Sequence, residues 1–174
     1  MEGLKTVAEL MAISARTAPK TRGEDFIEIN IFEKQDVIKI ANEMINFGKT
    51  RNKPKFVRDG KNVLDSELVV LIGIKNATFV GLNCGACGYY SCKELEAAKK
   101  TGDEFIGPHC AFRLLDLGIA LGSAVKTAGL LNVDNRMMYR IGTIARNLGF
   151  CDCDFVIGIP LSATGKSIYF DRKN

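Results

Sequence analysis

The chain has 174 residues, of which 47% are hydrophobic and 25% charged, with a formal net charge of +4. A chain of this length buries roughly two-thirds of its unfolded surface and holds a core without covalent staples, so its six cysteines need a chemical explanation. The small charge excess argues against a nucleic-acid surface; no apolar run nears the roughly 20 residues of a bilayer span; and MEGLKTVAELMAIS meets charge too early for a secretory leader, so the expectation is one cytoplasmic domain, 1–174, with no membrane segment and reduced or metal-bound cysteines.

Leu4, Val7, Ala8, Met11, Ala12 and Ala15 recur at helical spacing over residues 3–16, and Pro19 ends that helix. FIEINIF (26–32) alternates as a strand does, and DVIKIANEMINF (36–47) returns to helical period before Gly48. Residues 49–61, KTRNKPKFVRDGK, carry six Lys or Arg against one Asp, a solvated basic face or a dock for an acidic partner, with Pro54 opening a short helix. ELVVLIGI (67–74) is a continuous run of branched residues, expected as a strand covered on both faces. Residues 81–110 form a cysteine-bearing insertion, glycine-rich and then helical over CKELEAAKK until Gly102.

A long helix follows from about Ala111 to Ala128, where Gly118, Ala120 and Gly122 leave room for close approach. Asn132 or Asp134 is expected to cap a further helix reaching Leu148, with Met137, Met138, Ile141 and Ile144 apolar and Gly149 ending it. DFVIGI (154–159) and SIYF (167–170) read as strands. So few strands, irregularly interleaved with helices, fit an α+β sandwich of a small mixed sheet and flanking helices. ATGKS (163–167) superficially matches the end of a phosphate-binding loop, but Pro160 stands where its first glycine belongs and no helix follows. Lys166 and Arg172 are expected to close the C-terminal segment instead.

The cysteines carry the chemistry. Cys84 and Cys87 are separated by two residues, Cys92 follows after four more and Cys110 after another seventeen. Thiolates select zinc, Cu(I) or iron–sulfur clusters. A structural zinc usually takes two well-separated short pairs, whereas three close cysteines and a remote one suit the corners of a cubane. Gly85 and Gly88 allow backbone to wrap closely round inorganic sulfur. Zinc, or no metal at all, is the alternative on spacing. Cys151 and Cys153 read as buried structural thiols. His109, the single histidine, is a substitute ligand or a bystander.

CGACGYYSCKELEAA followed by Cys110 resembles the short 4Fe-4S domain of corrinoid iron–sulfur proteins and certain electron-transport subunits, with Leu95 where that motif usually has Phe. The resemblance implies a 4Fe-4S cluster on Cys84, Cys87, Cys92 and Cys110. Three further stretches, 15–25, 116–142 and 158–172, resemble the ferredoxin-domain proteins of anaerobic bacteria and archaea. The order of elements is also similar to FMN-dependent nitroreductases, which implies a nitroreductase-like α+β fold, a homodimer and FMN. The chain lacks the N-terminal Arg-x-Ser-x-Arg that grips flavin phosphate in that family; Arg16, Lys20 and Arg22 are the cations left to hold a flavin or another anion. The expected function is a 4Fe-4S redox protein, an electron carrier or oxidoreductase working with a redox partner protein. Its alternatives are a metal-stabilised binding module and an FMN-dependent reductase of nitro or quinone compounds. No residue is assigned a catalytic role.

Overall fold

The computed structural model describes residues 2–171, and Arg172 lies outside them. Helix α1 (Glu2–Thr17) buries Leu4, Ala8, Met11 and Ala15 on one stripe. A short 3-10 turn at Thr21–Gly23 leads into strand β1 (Ile27–Phe32). Helix α2 (Lys34–Thr50) runs through Gly48 instead of ending before it. The absence of a side chain there lets Val57 sit against the backbone, its amide 2.8 Å from where a Cβ would stand. Helix α3 (Pro54–Leu64) starts on Pro54 as expected, and strand β2 (Leu68–Ile74) is buried at every position. Helix α4 (Cys92–Ala97) is shorter than its sequence suggests. Helix α5 (Ala111–Leu130) is the longest element described, followed by strand β3 (Asp134–Asn135), helix α6 (Tyr139–Asn147) and strand β4 (Phe155–Ser162).

The strands form one sheet in the order β1-β2-β4-β3. Every pairing in it is antiparallel, where a mixed sheet was the expectation. β2 is central, and its pleat sends alternate side chains to opposite faces. Leu68, Val70, Ile72 and Ile74 join Leu4, Ala8, Met11, Leu117, Ala120 and Ala124 in a core between the sheet, α1 and α5. Val69 and Leu71 face the other way, into a core with Val37, Ile40, Met44, Phe56, Val63, Ile141 and Ile144 of α2, α3 and α6. The fold is a sheet between two helical layers, and two-sided burial explains the unbroken apolar run of β2.

The helix expected to reach Leu148 is present as α6 but starts later, with Met138 as its N-cap, and one expected strand is absent. Asp134 caps no helix: its carboxylate accepts from Ser167 Oγ at 3.0 Å and from the Ile168 amide at 2.8 Å, while its backbone pairs with β4. SIYF is a turn. It buries Tyr169, whose hydroxyl lies 2.9 Å from Ser66 Oγ, and this anchor replaces strand pairing. The small residues of α5 divide as well. Ala120 is buried, but Gly118 and Gly122 face open space.

Gly142 of α6 lies against β4, and a Cβ there would stand 1.9 Å from the Val156 carbonyl oxygen. Because a backbone oxygen in a paired strand cannot yield, Gly142→Ala is expected to cost about 2–3 kcal/mol of stability, measured by urea unfolding. Gly129→Ala, in open space on α5, serves as the control and is expected to be neutral or slightly stabilising.

Candidate functional site

The segment 75–110 leaves the end of β2 and returns at the N-terminus of α5, so both its ends are fixed by the core. Val80, Cys92 and Leu95 are its buried residues and tie it down. Ser91 caps α4 by accepting from the Glu94 amide at 3.2 Å, and the Glu94 carboxylate accepts from the amide of Tyr90, the residue before the cap, at 3.1 Å; the two bonds fix where the helix begins.

The four expected cysteines come together. Cys84, Cys87, Cys92 and Cys110 line one narrow recess with Val80, Leu82 and the first turn of α5. Cys92 is buried, Cys87 and Cys110 are half-buried and Cys84 is exposed. Among the described residues no group of three or more His, Cys, Asp or Glu is arranged to hold a single metal ion. Gly85 and Gly88 take φ values of 72° and 85°, a region that side chains with a Cβ rarely enter. These positions let the loop fold back round the recess.

Polar groups are aimed at the sulfurs. The Asn83 amide donates to Cys92 Sγ at 3.4 Å, and the Asn83 side-chain oxygen accepts from the Cys92 amide at 2.9 Å. Cys110 is the N-cap of α5, so the positive end of that helix lies at the recess, which Ala111 and Phe112 also line, and favours negative charge there. His109 lies beside it, and burial pushes its pKa below the usual value. Its Nε2 is buried without a partner among the described residues.

Arg113, one turn along α5, holds the neighbourhood together. It is 1% exposed. Its Nε donates to the Thr78 carbonyl at 2.9 Å, and its Nη1 to the Thr21 carbonyl at 3.1 Å and to Asp116 at 3.3 Å. Its Nη2 pairs with Glu24, and the guanidinium lies 4.7 Å from the Phe26 ring centroid. Asp116 in turn accepts from the Thr21 amide and hydroxyl, each at 2.8 Å. One side chain therefore bridges the strand exit at Thr78, the helix that carries Cys110 and the turn after α1. Sequence reading missed Arg113, Asp116 and Asn83. The signal was a charged i, i+3 pair inside an apolar helix and an amide two residues after Gly81.

The three cations lie at the end of α1 and on the turn that follows it, but have different surroundings. Arg16 Nη1 donates to Asp25 and to the Ile27 carbonyl, each at 2.6 Å. Lys20 Nζ donates to the carbonyls of Ala15, Arg16 and Ala18 at 3.3, 2.6 and 2.9 Å, closing the end of α1. Arg22 is exposed, with no hydrogen bond or ion pair among the described residues. Its guanidinium lies 4.0 Å from where a Cβ would stand on Gly81, at the base of the cysteine segment. The structure thus brings Arg22 toward the recess and commits the other two to internal partners. Arg16 also borders a shallow groove between α1 and β1. No helix among the described residues is long and apolar enough to cross a membrane.

Comparison with known proteins agrees with this architecture. The fold matches a nitroreductase with bound FMN from Desulfitobacterium hafniense, with a TM-score of 0.57 and 12% identity over 92% of this chain and 78% of that one. It also matches a nitroreductase family protein from Clostridium novyi, with a TM-score of 0.57 and 16% identity over 94% of this chain and 78% of the other. At such identities the likeness is one of fold. A protein of Archaeoglobus fulgidus named "Uncharacterized protein" is 52% identical over 171 residues, spanning 98% of this chain and 92% of the relative. Residues 106–172, which include Cys110 but not the other three recess cysteines, match the family model "Uncharacterized protein containing a ferredoxin domain". With a relative of that identity along nearly its whole length and a family model on its C-terminal part, the chain belongs to the family described as "Uncharacterized protein containing a ferredoxin domain".

Proposed function

We propose that this protein is a redox protein whose centre is a 4Fe-4S cluster held by Cys84, Cys87, Cys92 and Cys110. The observation that carries the reading is the shared recess lined by all four thiols. The family's ferredoxin domain supports it, as does the soft donor set. Bound there, a cluster would supply one-electron transfer at a potential within the range of about −700 to +450 mV open to such centres.

The chain's own residues have separate tasks. The four thiolates bind, and the Asn83 amide donates to Cys92 Sγ, an interaction that favours the more negative, reduced state. Val80, a buried residue lining the recess, keeps water from its inner side, while Cys84 leaves the outer side open. Leu82 lines the recess and is half exposed; it marks the rim where a partner protein would approach. The outward face of α5, with Leu115 and Ile119 exposed beside Gly118 and Gly122, is where a second copy of the chain would pack.

The decisive experiment is anaerobic purification followed by iron, sulfide and zinc analysis and visible spectroscopy. About four iron and four sulfide per chain, with absorption that bleaches on reduction, are expected. One zinc and no colour would sink the reading and leave the metal-stabilised binding module. A flavin beside the cluster is a second reading, favoured by the nitroreductase-like fold and by the groove at Arg16. Stoichiometric quenching of FMN fluorescence on titration supports it, and no quenching at micromolar protein rejects it.

A further inference from the structure

Residues 49–61 carry six Lys or Arg against one Asp, an excess larger than the net +4 of the whole chain. The rest of the molecule is therefore slightly acidic, and its positive charge is concentrated in this one stretch. The fold gathers it on one surface. Phe56, Asp59, Gly60 and Val63 are the buried residues of α3, a stripe at helical spacing, and Lys55, Arg58 and Lys61 are exposed on the other side, each a neighbour of the next along the helix surface. The Lys53 amide donates to the Gly48 carbonyl at 2.8 Å, a tight turn that sets Lys49 and Arg51, both exposed, beside the first turn of α3.

The single acid of the stretch does not offset these charges at the surface. Asp59 is 1% exposed and lies 2.7 Å from both Arg58 and Arg140, so its charge is spent inside. Lys53 is tied to Glu104 at 2.5 Å and lies 4.0 Å from Asp103. Lys49, Arg51, Lys55 and Lys61 make no ion pair among the described residues. Like charges gathered in this way repel one another, and an oppositely charged surface laid over them relieves the repulsion. Two of the cations are also held in place. Arg58 Nε donates to Asp59 at 2.8 Å, which orients the guanidinium, and Arg51 lies 5.5 Å from the centroid of the Phe47 ring. Donors ordered beforehand lose less freedom on binding. Phe56, the one aromatic residue of the stretch, is 2% exposed and offers no ring for a nucleic-acid base to stack on, so the chemistry favours carboxylates over nucleic acid.

We propose that Lys49, Arg51, Lys55, Arg58 and Lys61 form a docking surface for the carboxylate-rich face of a partner protein. The clamp of Lys53 on Glu104 joins this surface to the return limb of the segment 75–110, so a partner seated on it lies beside the cysteine segment. The docking surface stands on its own geometry, whatever fills the four-cysteine recess.

Fluorescence anisotropy with the intact, anaerobically purified protein and a fluorescein-labelled peptide of Glu-Gly repeats tests the proposal, with single-stranded and duplex DNA of equal charge as competing probes. The peptide is expected to bind more tightly than either DNA and to weaken at least about tenfold between about 50 and about 300 mM NaCl, as salt shortens the reach of the charges. Lys49→Glu, Lys55→Glu and Lys61→Glu together should weaken binding at low salt by about tenfold or more. The same change of net charge at the scattered exposed residues Lys99, Lys126 and Lys166 should cost less than about threefold. Glutamine at positions 49, 55 and 61 removes the attraction without adding repulsion and should fall between wild type and the Glu variant; if urea unfolding shows the Glu variant to be misfolded, the Gln variant decides, with a loss of at least about threefold. The proposal is overturned if the peptide does not bind at low salt, if the clustered and scattered variants lose binding equally, or if either DNA binds more tightly than the peptide.

Discussion

Replacing Arg113 with methionine is expected to lower the free energy of unfolding by about 3–5 kcal/mol, the cost typical of removing one partner from a buried ion pair. The guanidinium is 1% exposed, and Asp116 beside it is almost as buried. Without the arginine, the Thr78 and Thr21 carbonyls lose their donor and Asp116 keeps only its two bonds from Thr21. Methionine replaces much of the volume, so the loss reports on polar pairing more than on a cavity. Arg113→Lys keeps the charge but lacks the planar fork that reaches several acceptors at once, and it should recover less than half of the loss. Denaturant titrations of the three proteins measure this. An Arg113→Met variant within about 1 kcal/mol of wild type, the worth of a surface pair, would show that the network is dispensable. A second readout follows from position. Arg113 ties the exit at Thr78 to the helix carrying Cys110, so limited proteolysis within residues 81–110 should quicken in the variant beyond the change expected from global stability.

Substitution of Cys92 by alanine is expected to take the iron content from about four per chain to below one. Cys92 is the buried thiol of the set, held by two hydrogen bonds to Asn83, so its loss removes the innermost corner of the site. Because the free energy of metal binding is also folding free energy for the segment that binds, protection of amides in residues 81–98 from hydrogen exchange should fall with the iron. Cys153→Ala is the counterpart. It lies outside the recess and should retain full iron. Full iron in Cys92→Ala, or iron loss in Cys153→Ala alone, would mean that the ligand set is wrong.

The helices and buried strands were legible because their periodicity is strong. The apolar stripe of Leu4, Ala8, Met11 and Ala15 and the unbroken run of β2 each admit few arrangements that bury them. The misread places carry weaker local signals. Asp134 has a side chain that serves equally as a helix cap or as an acceptor for a distant loop, and contact with Ser167 and Ile168 decided for the latter. SIYF alternates as a strand would, yet burial of Tyr169 against Ser66 holds it as a turn. Arg16 and Lys20 looked available because their acceptors, Asp25 and the last carbonyls of α1, come within reach only once the chain turns after α1. Arg113 was invisible because its acceptors come from Thr21, Glu24, Thr78 and Asp116. All but the last are remote in sequence.

The sequence by itself determined the chemistry at hand: which residues are soft donors, how Cys84, Cys87 and Cys92 are spaced, where glycines permit a loop, and which runs must be buried. These are properties of side chains and of short-range backbone freedom, and both are local. Only the tertiary structure decided that Cys110 joins the other three, that Arg22 lies by their loop while Arg16 and Lys20 are occupied, and that Cys151 opens on a groove while Cys153 lies beneath β2. Those outcomes depend on packing two helical layers against a sheet, because burial there sets which distant groups meet and which face water.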